Sequence, residues 1–484
     1  MNTSDDGPWW DRAAKAVRHA LGEFLLVPIA VVAVFLLLAA GVYFIDAAFW
    51  SSNRKPPSEL RWLSDVFGDS AALSSLLGTI ATSLVTMTSI TFSLLLVAVQ
   101  QAASSLTNQV FDQFLRRRGN QIYFGFFVGL CVFALINLIV ASQSHRPIFG
   151  ALIAVVLTGV ALCLIVVLIY TTIEQMRPDT IIEAIRVHVL SARENQRFLL
   201  QATRRRIASQ APHVAGQVVS ERQGYVTAVG VEQIARAIAD IERSRKSAGG
   251  SGSAIEVELC VGVGSHVAFR DPLADLRCAG DLTDAGALSK AVVAAIRLEN
   301  VRDFERDPAF GIAQLGIIGW TSVSTARSNP NPGILVCHAL RDILARWLEQ
   351  GEAPEDRSSR IVYTDRVADT AISTFESLAV VASESMQHQT LAEIMRTLAM
   401  LLPKLPPEGV DQVVGVILRS LSALGEHVLT RELERSLEIA SQAMAAAGRD
   451  AAAEAVTRAT DALRGSIGVL NARSTRVSAV VRSR

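Results

Sequence analysis

IFGALIAVVLTGVALCLIVVLIYTTI, residues 148–173, is a continuous run without a single charged side chain. A helix needs roughly 20 apolar residues to cross a bilayer core about 30 Å thick. Outward from this run, residues 25–45, 71–99 and 122–141 meet the same requirement. The four runs predict a mainly α-helical membrane protein with a four-helix transmembrane region at residues 24–176.

The first run sets how the chain enters the membrane. It is longer than the apolar region of a signal peptide, which spans about 7–15 residues, so we expect it to remain as an anchor. Residues 1–23 before it contain Trp9 and Trp10 among charged side chains. Two interpretations of this N-terminal segment are open: an amphipathic helix with its indoles at headgroup level, or a disordered tail.

The charges are balanced overall but unevenly distributed. The chain carries 46 basic and 46 acidic residues, so it lacks the basic excess typical of nucleic-acid binding. Charged residues are sparse before Glu174 and frequent after it, which indicates one part in lipid and one in water. Lys and Arg are more numerous on the side of the membrane that holds both termini, so we expect both termini in the cytoplasm.

The second apolar run is unusual for its hydroxyl content. Small hydroxyl residues recur in it at spacings of four and three, and Gln100 continues the series: Ser75, Thr79, Thr82, Thr86, Ser89 and Ser93. This spacing places them on one face of a helix, which we call the hydroxyl stripe. Two interpretations are open. The stripe packs against another helix, with hydroxyls bonding across the contact, or it lines a wetted pore between several subunits.

The link between the second and third runs carries a family resemblance. FSLLLVAVQQAASSLTNQVFDQFLRRRGNQIYFGFFVGLCVFAL, residues 92–135, combines a Gln-rich exit, a Phe-Leu-Arg link and a Gly-Asn-Gln entry. It resembles the bacterial family of predicted membrane proteins called domain of unknown function 2254, as do residues 224–226, 261–267 and 306–311. The resemblance extends to about residue 345. It implies an integral protein of the bacterial inner membrane and no established activity.

One loop departs from the family pattern. Members follow the Asp-Pro-Ala-Phe-Gly block with a Ser-Pro-Gly-Ile-Asn-Asp-Pro motif, whereas residues 324–330 here read Ser-Thr-Ala-Arg-Ser-Asn-Pro. If that loop is a functional site in relatives, its role is altered or lost here. Polar residues of the surrounding region form a candidate ligand loop of Arg306, Asp307, Asn329 and His338. A solvated, ion-paired face accounts for the same charges.

The rest of the chain predicts a mostly helical α+β cytoplasmic domain. Residues 177–214 hold a connecting helix whose arginines face either anionic headgroups or solvent. Residues 215–283 suggest short strands and one helix, and residues 284–470 suggest a series of helices, the first at 285–298. The Gly262-x-Gly264 pair predicts a β-turn rather than a phosphate loop. The basic residues 471–484 are expected to be disordered.

Motifs for catalysis are absent from the sequence. There is no HExxH, no G-x-S-x-G, and no P-loop or Rossmann fingerprint. The five cysteines form no CxxC pair, so we predict no metal site and no cofactor. Cys337 and His338 are adjacent, but neighbouring residues of a helix point about 100° apart, so a catalytic pair is not expected.

Three functions follow from these patterns. The first is a homo-oligomeric channel of the inner membrane with a cytoplasmic regulatory domain. The second is a non-conducting scaffold or sensor whose cytoplasmic domain binds an unidentified small ligand or protein. The third, an enzyme, has the least support because no catalytic constellation is present.

Overall fold

The structure is a computed structural model that describes most of the chain. The described residues are 26–49, 69–105, 118–142, 147–175, 177–207, 213–247, 254–278, 285–324, 329–350, 358–424 and 429–465. The predictions for residues 1–23 and 471–484 therefore lie outside the described residues. The chain divides into two compact units, Met1–Arg177 and Pro178–Arg484.

The described part of the first unit consists of apolar helices. Its helices are α1 (Leu26–Phe49), α2 (Ser70–Ser105), α3 (Arg118–Ser142) and α4 (Ile148–Gln175). All four are long and apolar enough to cross a membrane, which confirms the four predicted apolar helices. The described structure as a whole is mostly helical, as predicted.

Helix α3 forms the centre of the first unit. It buries Phe127, Leu130 and Phe133 and packs against α1, α2 and α4. Glycine permits the close approach to α1, since a Cβ atom on Gly125 would stand 2.9 Å from the Cα atom of Pro28. The outward side chains of α1 and α4 are mainly apolar, as contact with lipid requires; Leu37, for example, is 72% exposed.

The second unit joins two small sheets to a layer of helices. The four-stranded sheet has the order β1-β5-β3-β7, and the three-stranded sheet has the order β4-β2-β6. The strands are β1 (Val214–Val219), β2 (Gly224–Val229), β3 (Glu256–Leu259), β4 (His266–Val267), β5 (Pro272–Arg277), β6 (Ile296–Glu299) and β7 (Ile361–Tyr363). The helices are α5 (Pro178–Gln201), α6 (Val231–Ser247), α7 (Ala285–Ala295), α8 (Pro308–Ser324), α9 (Asn331–Gln350), α10 (Val367–Glu384), α11 (His388–Leu401), α12 (Pro407–Leu424), α13 (Arg431–Ala446) and α14 (Asp450–Gly465), with a 3-10 turn at Leu402–Lys404.

The sheets take strands from beyond residue 283. Strand β6 pairs with β2 in antiparallel fashion, and β7 pairs with β3 in parallel fashion, with Val257 opposite Ile361. The helix predicted at 285–298 therefore ends at Ala295, because the next four residues are extended and hydrogen-bonded to β2. The part of the second unit that contains the sheets therefore extends beyond residues 215–283.

Helix α5 connects the helical layer to the sheets. Its N-terminal half packs on α8, where Gly311 faces Val189. Beyond its C-terminus, the backbone of Arg204 forms a bridge with β7, with its N–H donating to the Ile361 carbonyl at 2.9 Å. Arg193 pairs with Asp365 at 2.5 Å and is only 21% exposed, whereas Arg197 pairs with Glu194 and is 55% exposed, as a solvated helix face predicts.

Candidate functional site

The hydroxyl stripe lies on the outside of the first unit. Its members are all exposed: Ser75, Thr79, Thr82, Thr86, Ser89, Ser93 and Gln100. The buried residues Leu73, Leu77 and Leu84 of α2 lie on the opposite side of that helix. The stripe is therefore not used to pack α2 against α1, α3 or α4. Its role as a pore lining or as a packing face toward another protein stays a prediction.

The threonines of the stripe bond to their own helix. The hydroxyls of Thr79, Thr82 and Thr86 donate to backbone carbonyls four residues earlier, at 2.8–3.0 Å. Such bonds satisfy the hydroxyl hydrogen without any outside partner. The hydroxyl oxygens keep lone pairs that accept hydrogen bonds or contact a cation.

A second polar feature of the first unit lies at the start of α4. Asp46 of α1 is 6% exposed, and its two carboxylate oxygens accept hydrogen bonds from the N–H groups of Phe149 at 2.9 Å and Gly150 at 3.2 Å. The amide of Asn137 packs against the same Gly150. Sequence reasoning missed this contact because Asp46 follows the first apolar run directly and its partners lie in a distant part of the chain.

In the second unit, Asp307 belongs to a buried ion pair. It is 1% exposed, and its carboxylate lies 2.6 Å from the guanidinium of Arg302. It also accepts from the Phe310 N–H at 3.0 Å, near the start of α8. Burial raises the pKa of Asp307, although Arg302 and the amides of α8 act in the opposite direction. Asp307 therefore fixes the segment that carries Arg302 to the start of α8.

The Gly262–Gly264 turn covers this ion pair. The Ser265 N–H donates to the Gly262 carbonyl at 3.0 Å, and Gly264 has a φ of +89°, so the segment forms a β-turn. A Cβ atom on Gly264 would stand 2.5 Å from Cγ of Asp307. Next to the turn, the Tyr363 ring is almost fully buried, which raises the pKa of its phenol to about 12.

The four residues of the candidate ligand loop do not converge. Asp307 precedes the first residue of α8, whereas Asn329 follows its C-terminus and accepts the Asn331 N–H at the start of α9. Arg306 is 55% exposed and lies 3.7 Å from Asp303. Since α8 runs from Pro308 to Ser324, about 24 Å of helix separates Arg306 and Asp307 at its start from Asn329 beyond its end.

His338 belongs to a different cluster. Its Nε2 atom lies 3.0 Å from a carboxylate oxygen of Glu393, which is 11% exposed. Arg396 also contacts that carboxylate at 2.6 Å, and Arg341 at 3.7 Å. The neighbouring Cys337 is fully buried, and burial raises the pKa of its thiol. The thiol and the imidazole therefore have separate surroundings.

An open groove lies between α5 and α9. It has a volume of about 590 Å³ and is lined by Asp179, Thr180, Ile182, Glu183, Arg186, Leu335, His338, Ala339 and Asp342. Arg186 bridges the two helices, 2.6 Å from Glu183 and 2.5 Å from Asp342. Its hydrogen bond lowers the pKa of Glu183. We call this cavity the α5–α9 groove; it combines apolar side chains with both signs of charge.

Metal chemistry finds no support in the described ranges. No group of three or more His, Cys, Asp or Glu side chains there could hold a metal ion. The cysteines of the described residues are free thiols; Cys278 and Cys337 are buried, and Cys163 and Cys260 are exposed.

Similarity to known proteins identifies the family of this chain. No curated protein and no solved structure matches the chain. The model of the family described as "Predicted membrane protein (DUF2254)" matches residues 22–400, which is more than half of the chain and includes the apolar helices and the Asp307 loop. The resemblance seen in the sequence is thereby confirmed, and it reaches further than residue 345. The chain belongs to this family of predicted membrane proteins.

Proposed function

We propose that the protein is a multi-pass protein of the bacterial inner membrane that assembles into a homo-oligomeric channel. The observation that carries this proposal is the exposed hydroxyl stripe of α2. In the assembly, the stripes of several subunits surround one axis and line a wetted path. The second unit lies in the cytoplasm, with both termini, and regulates the path.

The polarity of α2 supports contact of its hydroxyl stripe with water, an ion or protein rather than with lipid. Its mean hydropathy is 1.4, against 2.6 for α1 and α3 and 3.2 for α4. Lipid tails give no favourable contact to the acceptor oxygens of the stripe, whereas water, an ion or a neighbouring subunit does. Because the stripe is opposite the buried side of α2, a second copy can reach it without rearranging the first unit.

Thiol labelling in native membranes tests the path. Cysteines introduced as Thr82→Cys, Thr86→Cys and Ser89→Cys, in a Cys260→Ala background, are expected to react with a hydrophilic thiol reagent because water reaches them. The native Cys163 is the matched control, since it is exposed on α4 and lies among apolar residues that lipid covers. Protection of all three positions, together with a monomeric intact mass in detergent and no conductance in bilayers, contradicts the channel.

The α5–α9 groove favours a second candidate function, a non-conducting scaffold or sensor. A groove of about 590 Å³ has the size of a small-ligand site, and its lining offers apolar side chains beside charged groups of both signs. In this second candidate, the sensor responds to a small ligand that binds in the α5–α9 groove, and the first unit anchors the protein in the membrane.

Filling the groove tests the sensor. We expect intact mass spectrometry of the protein from native membranes to show a bound species that the Thr180→Trp variant loses, because the indole occupies the groove. Ser191→Trp is the control, since Ser191 is exposed on the same helix and does not line the groove. The quantity compared is the excess of the measured mass over the mass calculated from the sequence. If this excess is the same for the wild type and both variants, the groove holds no ligand.

A further inference from the structure

One end of the helical layer of the second unit carries exposed apolar side chains. On α8, Trp320 is 52% exposed and Ile317 is 47% exposed. These residues are three positions apart and therefore share a face of the helix. Met386, after the end of α10, is 39% exposed and has a φ of +57°. We call Ile317, Trp320 and Met386 the apolar end.

The contacts between helices show that this end is also where α5 begins. Helix α8 runs antiparallel to α5, because Gln196 contacts the carbonyl of Arg306 whereas Val189 faces Gly311. Trp320 lies about 14 Å along α8 from Gly311, and Pro178 lies about 17 Å along α5 from Val189. Because the helices are antiparallel, both distances run in the same direction. Trp320 is therefore within about one helical turn of the level of Pro178.

Helices α9 and α10 meet at the same end. Ser322, near the end of α8, donates its hydroxyl to the Asn329 carbonyl at 2.6 Å, just before α9 begins. Gly316 faces Thr374 and Gly319 faces Leu378, so α10 runs in the same direction as α8 and the two helices end side by side. The turn that holds Met386 follows α10 directly.

Covalent geometry brings the start of α5 close to the end of an apolar helix. Two residues separate Gln175, the last residue of α4, from Pro178. Their Cα atoms are therefore no more than about 11 Å apart. The interfacial layer on each side of a bilayer core is itself about 6 Å thick. If α4 crosses the membrane, Pro178 lies at or near the headgroup region.

We propose that the apolar end of the second unit is a lipid-contact surface that rests in the headgroup region of the bilayer. The indole of Trp320 is amphipathic and suits this layer, where tryptophan is enriched in membrane proteins. Ile317 and Met386 add apolar area beside it. This inference rests on the proposed crossing of the membrane by α4, and it is independent of the proposed channel.

The charges at this end favour a contact with neutral lipid. Asp179 and Glu384 are exposed there, and Arg177, which directly precedes Pro178 in the chain, lies 3.5 Å from Glu174. The acidic groups offset the attraction of the arginine to anionic headgroups. The contact therefore depends on burial of apolar area, and vesicles of phosphatidylcholine are sufficient to test it.

Fluorescence quenching by brominated lipid provides the test. The full-length protein is reconstituted into phosphatidylcholine vesicles with bromine near the headgroup end of the acyl chains. The emission that is removed by Trp320→Phe is expected to be quenched in these vesicles relative to unbrominated ones. The emission removed by Trp347→Phe is the control and is expected to be unquenched, because Trp347 lies near the far end of α9. Exchange of part of the lipid for phosphatidylserine is expected to leave both results unchanged.

A third variant separates failure of the surface from failure of the membrane crossing. Leu162 is 50% exposed in the middle of α4, so Leu162→Trp in the Trp320→Phe background reports on the bilayer core. Quenching of this variant by deeply brominated lipid, together with unquenched Trp320, overturns the lipid-contact surface and leaves the crossing intact. Absence of quenching at both positions overturns both statements.

Discussion

Replacing Gly264 with alanine is expected to destabilise the second unit by about 4 kcal/mol. The new Cβ atom would meet the carboxylate of Asp307 and stand 2.7 Å from Nη2 of Arg302. Both groups are held in place, since Asp307 is 1% exposed and also bonds the start of α8. The φ of +89° adds the cost of a left-handed conformation for a residue with a side chain.

Thermal unfolding of the full-length protein in detergent measures this effect. A loss of this size lowers the apparent Tm of the second unit by roughly 10 °C. Gly448→Ala is the matched control, because Gly448 has a φ of +71° but no atom within 4 Å of its added Cβ. That variant pays only for the backbone conformation, about 1 kcal/mol. Equal losses in the two variants would falsify the collision with the ion pair.

A double variant identifies the ion pair as the cause. Asp307→Ala alone is destabilising, because it leaves the partly buried guanidinium of Arg302 without its carboxylate and the Phe310 N–H without its acceptor. The double variant Gly264→Ala with Asp307→Ala is expected to lose less than the sum of the two single losses, since the collision with the carboxylate has gone and Arg302 is no longer held by it. Additive losses would place the strain elsewhere in the turn.

The helices were largely predictable because their signal is local. Four apolar runs long enough to cross a bilayer appear in the sequence without any knowledge of tertiary contacts, and the structure has helices at all four places. Helix α12 (Pro407–Leu424) likewise lies within residues 284–470, where the sequence suggests a series of helices. The hydroxyl stripe was visible for the same reason, since its spacing is that of one helix face.

The polar contacts were not predictable because their partners are far apart in the chain. The charge of Asp307 and its place near the altered loop favour a ligand site, yet its surroundings depend on the turn at Gly264. Closeness in sequence suggests that His338 lies beside Asn329, but the partner of His338 is Glu393 on α11. Strand β7 has only three residues and gains its stability from a parallel partner about a hundred residues earlier.

The contact of Asp46 with α4 is expected to matter for the first unit. The first N–H groups of a helix have no carbonyl partner within that helix. At the start of α4, Asp46 supplies acceptors to two of them, at Phe149 and Gly150. Its negative charge also lies at the positive end of the helix dipole. Because Asp46 is buried, water does not replace these bonds when the carboxylate is removed.

Asp46→Ala is therefore expected to reduce the free energy of unfolding of the first unit by about 3 kcal/mol, since two buried N–H groups lose their acceptor. Asp46→Asn keeps one carbonyl oxygen and is expected to lose about half as much. Unfolding in mixed micelles with increasing dodecyl sulfate, followed by circular dichroism, measures both. Asp69→Ala is the matched control, because Asp69 bonds the Ala71 N–H at the start of α2 but is exposed. Water takes over that bond, so its loss is about 0.5–1 kcal/mol. Losses of the same size at Asp46 and Asp69 would mean that water reaches the start of α4 and that the carboxylate does not hold α1 to it.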